Sequence, residues 1–195
     1  MRRRPFVGAL AALVLAAGAW QLGEAVWIYL KARLAQHLLQ RAWAQTLGGE
    51  VDVKPWPWAD TWPVARLRVP GHGVDLIVLA GVSGRTLAFG PGHAGESAAA
   101  GAAGTVILSG HRDTHFRFLE RLRAGDEIVV ERPHRPRARY RVREAVVVDA
   151  RSARIRTDEE RLVLLTCYPF AAMTPRGPLR YVVIAEPAFT SAGSP

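Results

Sequence analysis

From Val64 onward the chain advances in short apolar runs of strand length, each cut off by Gly, Asp or Pro: Val64–Val69, Val74–Leu79, Thr86–Phe89, Thr105–Ser109, Glu127–Glu131, Arg137–Val148, Leu162–Thr166 and Arg180–Ala185. Only two short helical candidates, Glu96–Ala102 and Phe116–Arg121, interrupt them. Many short strands with turn signals between them predict an all-β domain, either a barrel or a sandwich. The run RARYRVR has period two, with Arg137, Arg139, Arg141 and Arg143 on one face and Ala138, Tyr140 and Val142 on the other. That is a strand with one wet side.

The amino terminus obeys a different rule. Phe6 to Gly23 is almost uninterrupted Ala, Leu, Val and Gly behind Arg2, Arg3 and Arg4. As a helix it extends about 27 Å, close to the roughly 30 Å hydrocarbon core of a bilayer. Glu24 to Leu47 continues with helical spacing (Val26, Tyr29, Leu30, Leu34, Leu38), and Trp20 and Trp27 fall at interface depth. We expect a membrane anchor over 1–23, a helical stalk over 24–49, the globular domain over 50–187 and a polar tail over 188–195. A cleaved signal peptide ending near Ala17 or Ala19 is the rival reading. Three arginines before the span, against Lys31 and Arg33 after it, orient the chain N-in and C-out, so either reading puts the domain outside the cytoplasm.

Between anchor and strands, three tryptophans and three prolines crowd into Pro55–Pro63, a segment that cannot be a regular helix. Its expected role is to wrap extended over the domain with the tryptophans on apolar surface; a ligand-stacking platform is the alternative. The net charge of +9 suits anionic headgroups better than nucleic acid, because ten acidic residues are interspersed among the fourteen arginines between Arg112 and Arg161. No Walker loop or dinucleotide fingerprint is present. No cofactor is expected.

The single cysteine, Cys167, excludes an intramolecular disulfide and a multi-cysteine zinc site. It ends the apolar strand LVLLTC just before YPF, at a strand-to-turn edge. Read blandly it is a buried small hydrophobe; read functionally it is a nucleophile. His111 likewise follows an apolar strand, TVILSG, and Gly110 before it allows close backbone approach. His115, four residues on, is read as a loop histidine hydrogen-bonded to Asp113, with a catalytic role as its alternative. His37, His72, His93 and His134 show no metal-ligand spacing. Arg180 opens the strand RYVVIA, where a guanidinium either hydrates an edge or faces a developing oxyanion.

The blocks SGHRDTHF (Ser109–Phe116), TCYPF (Thr166–Phe170) and RYVV (Arg180–Val183), each beside an apolar strand, resemble the signature blocks of sortases, the membrane-anchored cysteine transpeptidases. The segment PWPWADTWPVARL resembles the Trp- and Pro-rich approach of the proteobacterial type. The resemblance covers nearly everything from Trp56 to Ala185.

It implies a closed eight-stranded barrel with His111, Cys167 and Arg180 as the catalytic set, and Asp113 and Thr166 as supporting residues. Arg176, in the loop before Arg180, competes for the arginine role; Arg180 is preferred because it immediately precedes the closing strand. The implied chemistry is cleavage of an LPxTG-like sorting signal on surface proteins through a thioacyl-enzyme, followed by transfer to an amine. The implied location is the inner membrane, with a periplasmic catalytic domain. Loops 84–103 and 168–179 are the expected substrate selectors. Two other readings stay open: a sorting-signal peptidase that only hydrolyses, and a non-catalytic binding or assembly domain. No compact acidic loop points to calcium.

Overall fold

The computed structural model of the chain describes residues 4–99, 102, 104–172 and 177–188. The chain divides into two compact units between Leu38 and Leu39. The first is one helix, α1 (Arg4–Leu47), whose last turns belong to the second unit. It is the one helix among the described residues long and apolar enough to cross a membrane, with mean hydropathy 1.5 in its most apolar window and none of that window buried. Leu13, Leu15, Trp20 and Leu22 are all exposed. Ala and Leu favour the helix intrinsically, and it runs without a break through Gly23. Lys31 stands 4.8 Å over the Trp27 ring, and Arg33 5.0 Å over that of Tyr29. The helix stops at the Gly48-Gly49 pair, where Gly49 adopts φ +107 and the Gly48 and Gly49 amides close back on Ala44 and Thr46 carbonyls.

The second unit is a closed barrel of eight strands: β1 (Pro63–Val69), β2 (Val74–Ala80), β3 (Gly92–His93), β4 (Thr105–Ser109), β5 (Glu127–Glu131), β6 (Ala138–Asp149), β7 (Arg161–Cys167) and β8 (Leu179–Pro187). Their order around the barrel is β1-β2-β3-β4-β7-β8-β6-β5. The expected all-β closed architecture is therefore present. Leu67, Val78, Leu108, Ile128, Tyr140, Leu164 and Val183 fill the interior, each at most 2% exposed. On β6 the period of two holds: Tyr140 and Val142 are buried, while Arg139, Arg141 and Arg143 are exposed. Arg139 and Arg143 pair with Glu127 (2.5 Å) and Glu186 (2.9 Å) on the neighbouring strands.

β2 is buried on both faces at Ile77, Val78 and Leu79. Val78 enters the barrel, and Ile77 and Leu79 form a second cluster with Leu39 and Trp43 of the last turns of α1. Trp56 and Phe89 flank that cluster, the rings edge-to-face at 4.8 Å. The Trp-rich segment is irregular, as expected, and Thr61 anchors it by donating 2.7 Å to the Ala80 carbonyl. Its covering role holds for Trp56 but not for Trp58, which is 83% exposed.

Two elements depart from expectation. Residues 86–89 are not a strand: Ser83 caps a single turn, α2 (Gly84–Leu87), its hydroxyl accepting from the Thr86 amide at 3.1 Å. The eighth strand is instead Gly92–His93, which no apolar run announces, because a side chain at 92 would collide with the Gly81 carbonyl. The helix expected over Glu96–Ala102 is a turn and bend at Glu96 and Ser97 followed by irregular chain at Ala98 and Ala99, with 100 and 101 outside the described residues. Ser97 donates locally to the Ala94 carbonyl, and the Ala98 amide is taken by Thr105. The other helical candidate is a 3-10 turn, Arg117–Arg121.

Candidate active site

The site follows from strand register. β4 and β7 are parallel neighbours with Ser109 opposite Leu165, and the Gly110 amide donates to the Leu165 carbonyl at 3.1 Å. Two residues beyond that pair on each chain, His111, just past the end of β4, and Cys167, at the end of β7, therefore leave the barrel at the same rim. β7 and β8 are antiparallel with Cys167 directly opposite Arg180, and the Tyr168 amide continues the ladder to Leu179 at 3.1 Å. Side chains of directly opposed residues share one face of the sheet, with Cβ atoms about 5 Å apart. Cys167 thus sits on the middle of three consecutive strands, flanked by the histidine of one and the arginine of the other.

All three line one open groove of about 260 Å³, completed by Val82, Leu87, Ser109, Gly110, Leu165 and Thr166. Cys167 is partly exposed, so the buried-hydrophobe reading does not describe it. His111 is exposed. Arg180 is not a freely hydrated edge residue: its Nη1 donates to the Gly177 carbonyl (2.8 Å) and the Leu179 carbonyl (2.9 Å), which holds the guanidinium at the groove. Arg176, its rival, lies outside the described residues.

The rim is braced from beneath. Thr166, 3% exposed, donates its hydroxyl to the Gly110 carbonyl at 2.6 Å. Gly110 is required there, since a Cβ would stand 2.7 Å from the buried Phe116 ring. Arg112, 6% exposed, reaches across to donate from Nη2 to the Ala172 carbonyl at 2.7 Å, while its Nε lies 3.4 Å from Asp113.

Asp113 therefore faces Arg112 and not His115, which corrects the expected loop pairing. His115 faces the Leu87 backbone and lies 3.4 Å from the Thr114 hydroxyl, because the turn that carries Phe116 into the core brings its ring beside α2. Burial, then the charge of neighbouring His111, hold His115 below the ordinary histidine range, against the Leu87 contact that raises it.

Leu87, Val82 and the bracing role of Arg112 were missed in the sequence. A lone arginine after a strand-end histidine carries no signal of its burial, and Leu87 belonged to a run read as strand. Among the described residues no group of three or more His, Cys, Asp or Glu is placed to hold a metal ion. Chemically, a thiol, an imidazole and a tethered guanidinium on one solvent-open groove supply a nucleophile, a proton carrier and a fixed cation.

A family model described as "Sortase domain" matches residues 67–188. Sortase D of Bacillus subtilis is 32% identical over 123 residues, which are 62% of this chain and 61% of that protein. The chain thus spans about three-fifths of the length of this curated relative. Among solved structures, the Clostridium perfringens Sortase D5 transpeptidase superposes with TM-score 0.56 at 24% identity, covering 66% of this chain and 80% of that one. A lid mutant of Sortase A from Corynebacterium diphtheriae gives TM-score 0.60 at 19% identity, covering 83% and 93%. These two likenesses establish the shared fold.

Proposed function

The chain belongs to the sortase family, and on that footing we propose that it is a cysteine transpeptidase in which Cys167, His111 and Arg180 carry the reaction. The observation that carries this reading is the placement of Cys167 between His111 and Arg180 on consecutive strands of one open groove.

In the proposed cycle the Cys167 thiolate attacks the threonine carbonyl carbon of an LPxTG-like sorting signal. Arg180 stabilises the oxygen that becomes negative. The carbon–nitrogen bond to glycine breaks as protonated His111 gives its proton to the departing amine, leaving a thioacyl-enzyme and a neutral imidazole. An incoming primary amine then attacks the thioester, its proton passes to His111, and the sulfur leaves as thiolate. Thr166 holds the Cys167 and His111 ends of the groove together, and Asp113 acts through Arg112. The loop at 84–103 lines the groove through Leu87, the loop at 168–179 meets it where the Gly177 and Leu179 carbonyls hold Arg180, and both are proposed to select substrate; 100, 101, 103 and 173–176 lie outside the described residues.

The proposed setting is a single-pass protein of the inner membrane, with 1–23 as anchor, 24–49 as stalk and 50–187 as an extracytoplasmic catalytic domain. The apolar, unburied window of α1 supports it, as does the arginine cluster before the span. The segment 188–195 is a tail, of which 189–195 lie outside the described residues. The Trp- and Pro-rich approach to β1 supports assignment to the proteobacterial type. Partners are surface proteins bearing a C-terminal sorting signal.

The test is mass spectrometry of the full chain with a sorting-signal peptide, with and without a primary amine. A thioacyl adduct on Cys167 and an amine-dependent ligation product are expected. Hydrolysis alone in abundant amine makes the protein a peptidase. A folded protein that neither acylates nor cleaves is a binding or assembly domain.

A further inference from the structure

The arginine-rich connection between β5 and β6 has no part in the Cys167 chemistry. Arg132, Arg135, Pro136 and Arg137 of this connection border a concavity of about 310 Å³ together with Ala138, Arg139 and Tyr140 of β6, Glu160 and Pro187. Register places it far from the groove. Arg180 opposes Cys167 near the start of β8, whereas Pro187 opposes Tyr140 seven residues later, about 23 Å along the strand.

Four guanidinium groups meet a single carboxylate in this lining, that of Glu160. Arg137 and Arg139 are compensated from outside it, by Glu131 at 3.7 Å and Glu127 at 2.5 Å. Arg132 and Arg135 have no carboxylate partner among the described residues. They also repel each other: burial, then the charge of Arg135, hold Arg132 below the ordinary arginine range. Two uncompensated cations held together cost free energy that an anion between them would recover.

The loop is stiffened as well. Pro133 and Pro136 each restrict one φ, and His134 between them takes φ +54, a left-handed conformation that few residues other than glycine adopt. A stiff loop gives up little entropy when it closes on a ligand.

We propose that this concavity, framed by Arg132, Arg135, Arg137 and Arg139, binds a phosphate-type oxyanion. Planar guanidinium forks match phosphate oxygens in pairs, and the uncompensated charge suits a group carrying more than one negative charge. The phosphate comes either from a lipid headgroup or from a free phosphate ester in the surrounding medium.

The full chain in neutral detergent, titrated with inorganic phosphate and followed by the NMR signals of arginine Nε–H groups, is expected to bind saturably. R132Q/R135Q should weaken binding at least tenfold, and R151Q/R154Q, an exposed pair elsewhere on the barrel, should leave it within twofold. Circular dichroism checks folding. If the double glutamine variant does not fold, R132K and R135K, which keep the charge and lose the fork, should each weaken phosphate three- to tenfold. Hydrogen exchange in nanodiscs separates the sources: protection of 132–139 by phosphatidylglycerol and not by phosphatidylcholine identifies headgroups, and saturable phosphate binding without that protection identifies a free phosphate ester. No saturation by phosphate, or equal loss in the Arg151 and Arg154 control, overturns the proposal.

Discussion

The Thr166 hydroxyl donates a 2.6 Å hydrogen bond to the Gly110 carbonyl, so the residue before Cys167 holds the residue before His111 across the β4–β7 seam. Both groups are buried. Thr166→Val keeps the shape and leaves the Gly110 carbonyl without that donor, at an expected cost of about 1–3 kcal/mol in chemical denaturation. Turnover should fall more steeply than KM rises, because Cys167 and His111 lose their common brace. Unchanged turnover in a folded T166V protein would remove Thr166 from the positioning machinery.

Gly110→Ala attacks the same seam sterically. The added methyl would meet three atoms of the Phe116 ring at 2.7–2.9 Å, and that ring is fully buried. Destabilisation of about 1–3 kcal/mol is expected, measurable as a lower denaturation midpoint. The companion F116L, which opens space under residue 110, should recover part of the loss in the double variant.

Arg112 joins the His111 strand end to the segment after Cys167 through the Ala172 carbonyl, from a position 6% exposed. Arg112→Met should destabilise the fold by about 1–3 kcal/mol and raise KM for a sorting peptide several-fold as that segment loosens. Arg112→Lys, which keeps one donor and the charge, should recover part of both. Equal KM in the Met and wild-type proteins would confine Arg112 to stability alone.

His115 is held below the ordinary histidine value of about 6.5, so it is neutral in the folded protein at pH 7. The unfolded chain takes up this proton first as pH falls. The stability that neutral His115 supports is thus present above about pH 6.5 and is lost as pH drops through the folded value. In denaturation across pH 7.5 to 5, His115→Gln should lose less stability than wild type. Parallel pH profiles would show that His115 is not the group responsible.

Within the proposed catalytic set, Cys167→Ala should abolish acylation altogether. His111→Ala should lower kcat/KM by about 10²–10⁴, the range of a lost general acid. Arg180→Ala should cost about 10²–10³, the range for a lost oxyanion donor. Arg176→Ala should cause only a modest loss, and a dead R176A beside an active R180A would reverse the arginine assignment. Peptide cleavage assays on the full chain read all four.

Much of the barrel was legible because seven of its strands carry side chains that declare them. The RARYRVR run is the clearest case, since one wet face and one dry face at period two admit no other regular structure. β3 was not legible: Gly92 is there because nothing larger fits beneath Gly81, and a strand chosen by close approach leaves no apolar signature. The run at 86–89 misled for the opposite reason, since its apolar residues serve a capped turn, Leu87 lining the groove and Phe89 packing on the Ile77 and Leu79 cluster of β2.

What the residues determine unaided is local: an apolar helix that no soluble surface requires, alternating strands, and a thiol, an imidazole and a guanidinium each parked at a strand end. Their meeting is decided by tertiary structure. Cys167 lies 56 residues from His111 and 13 from Arg180 in the chain. Only the order β4-β7-β8, with Ser109 opposite Leu165 and Cys167 opposite Arg180, sets the three side by side. The same closure turns Asp113 toward Arg112 and His115 toward Leu87. Partner choice among polar side chains depends on which strands adjoin and at what register, and hydrogen-bonding between backbones distant in sequence sets that register.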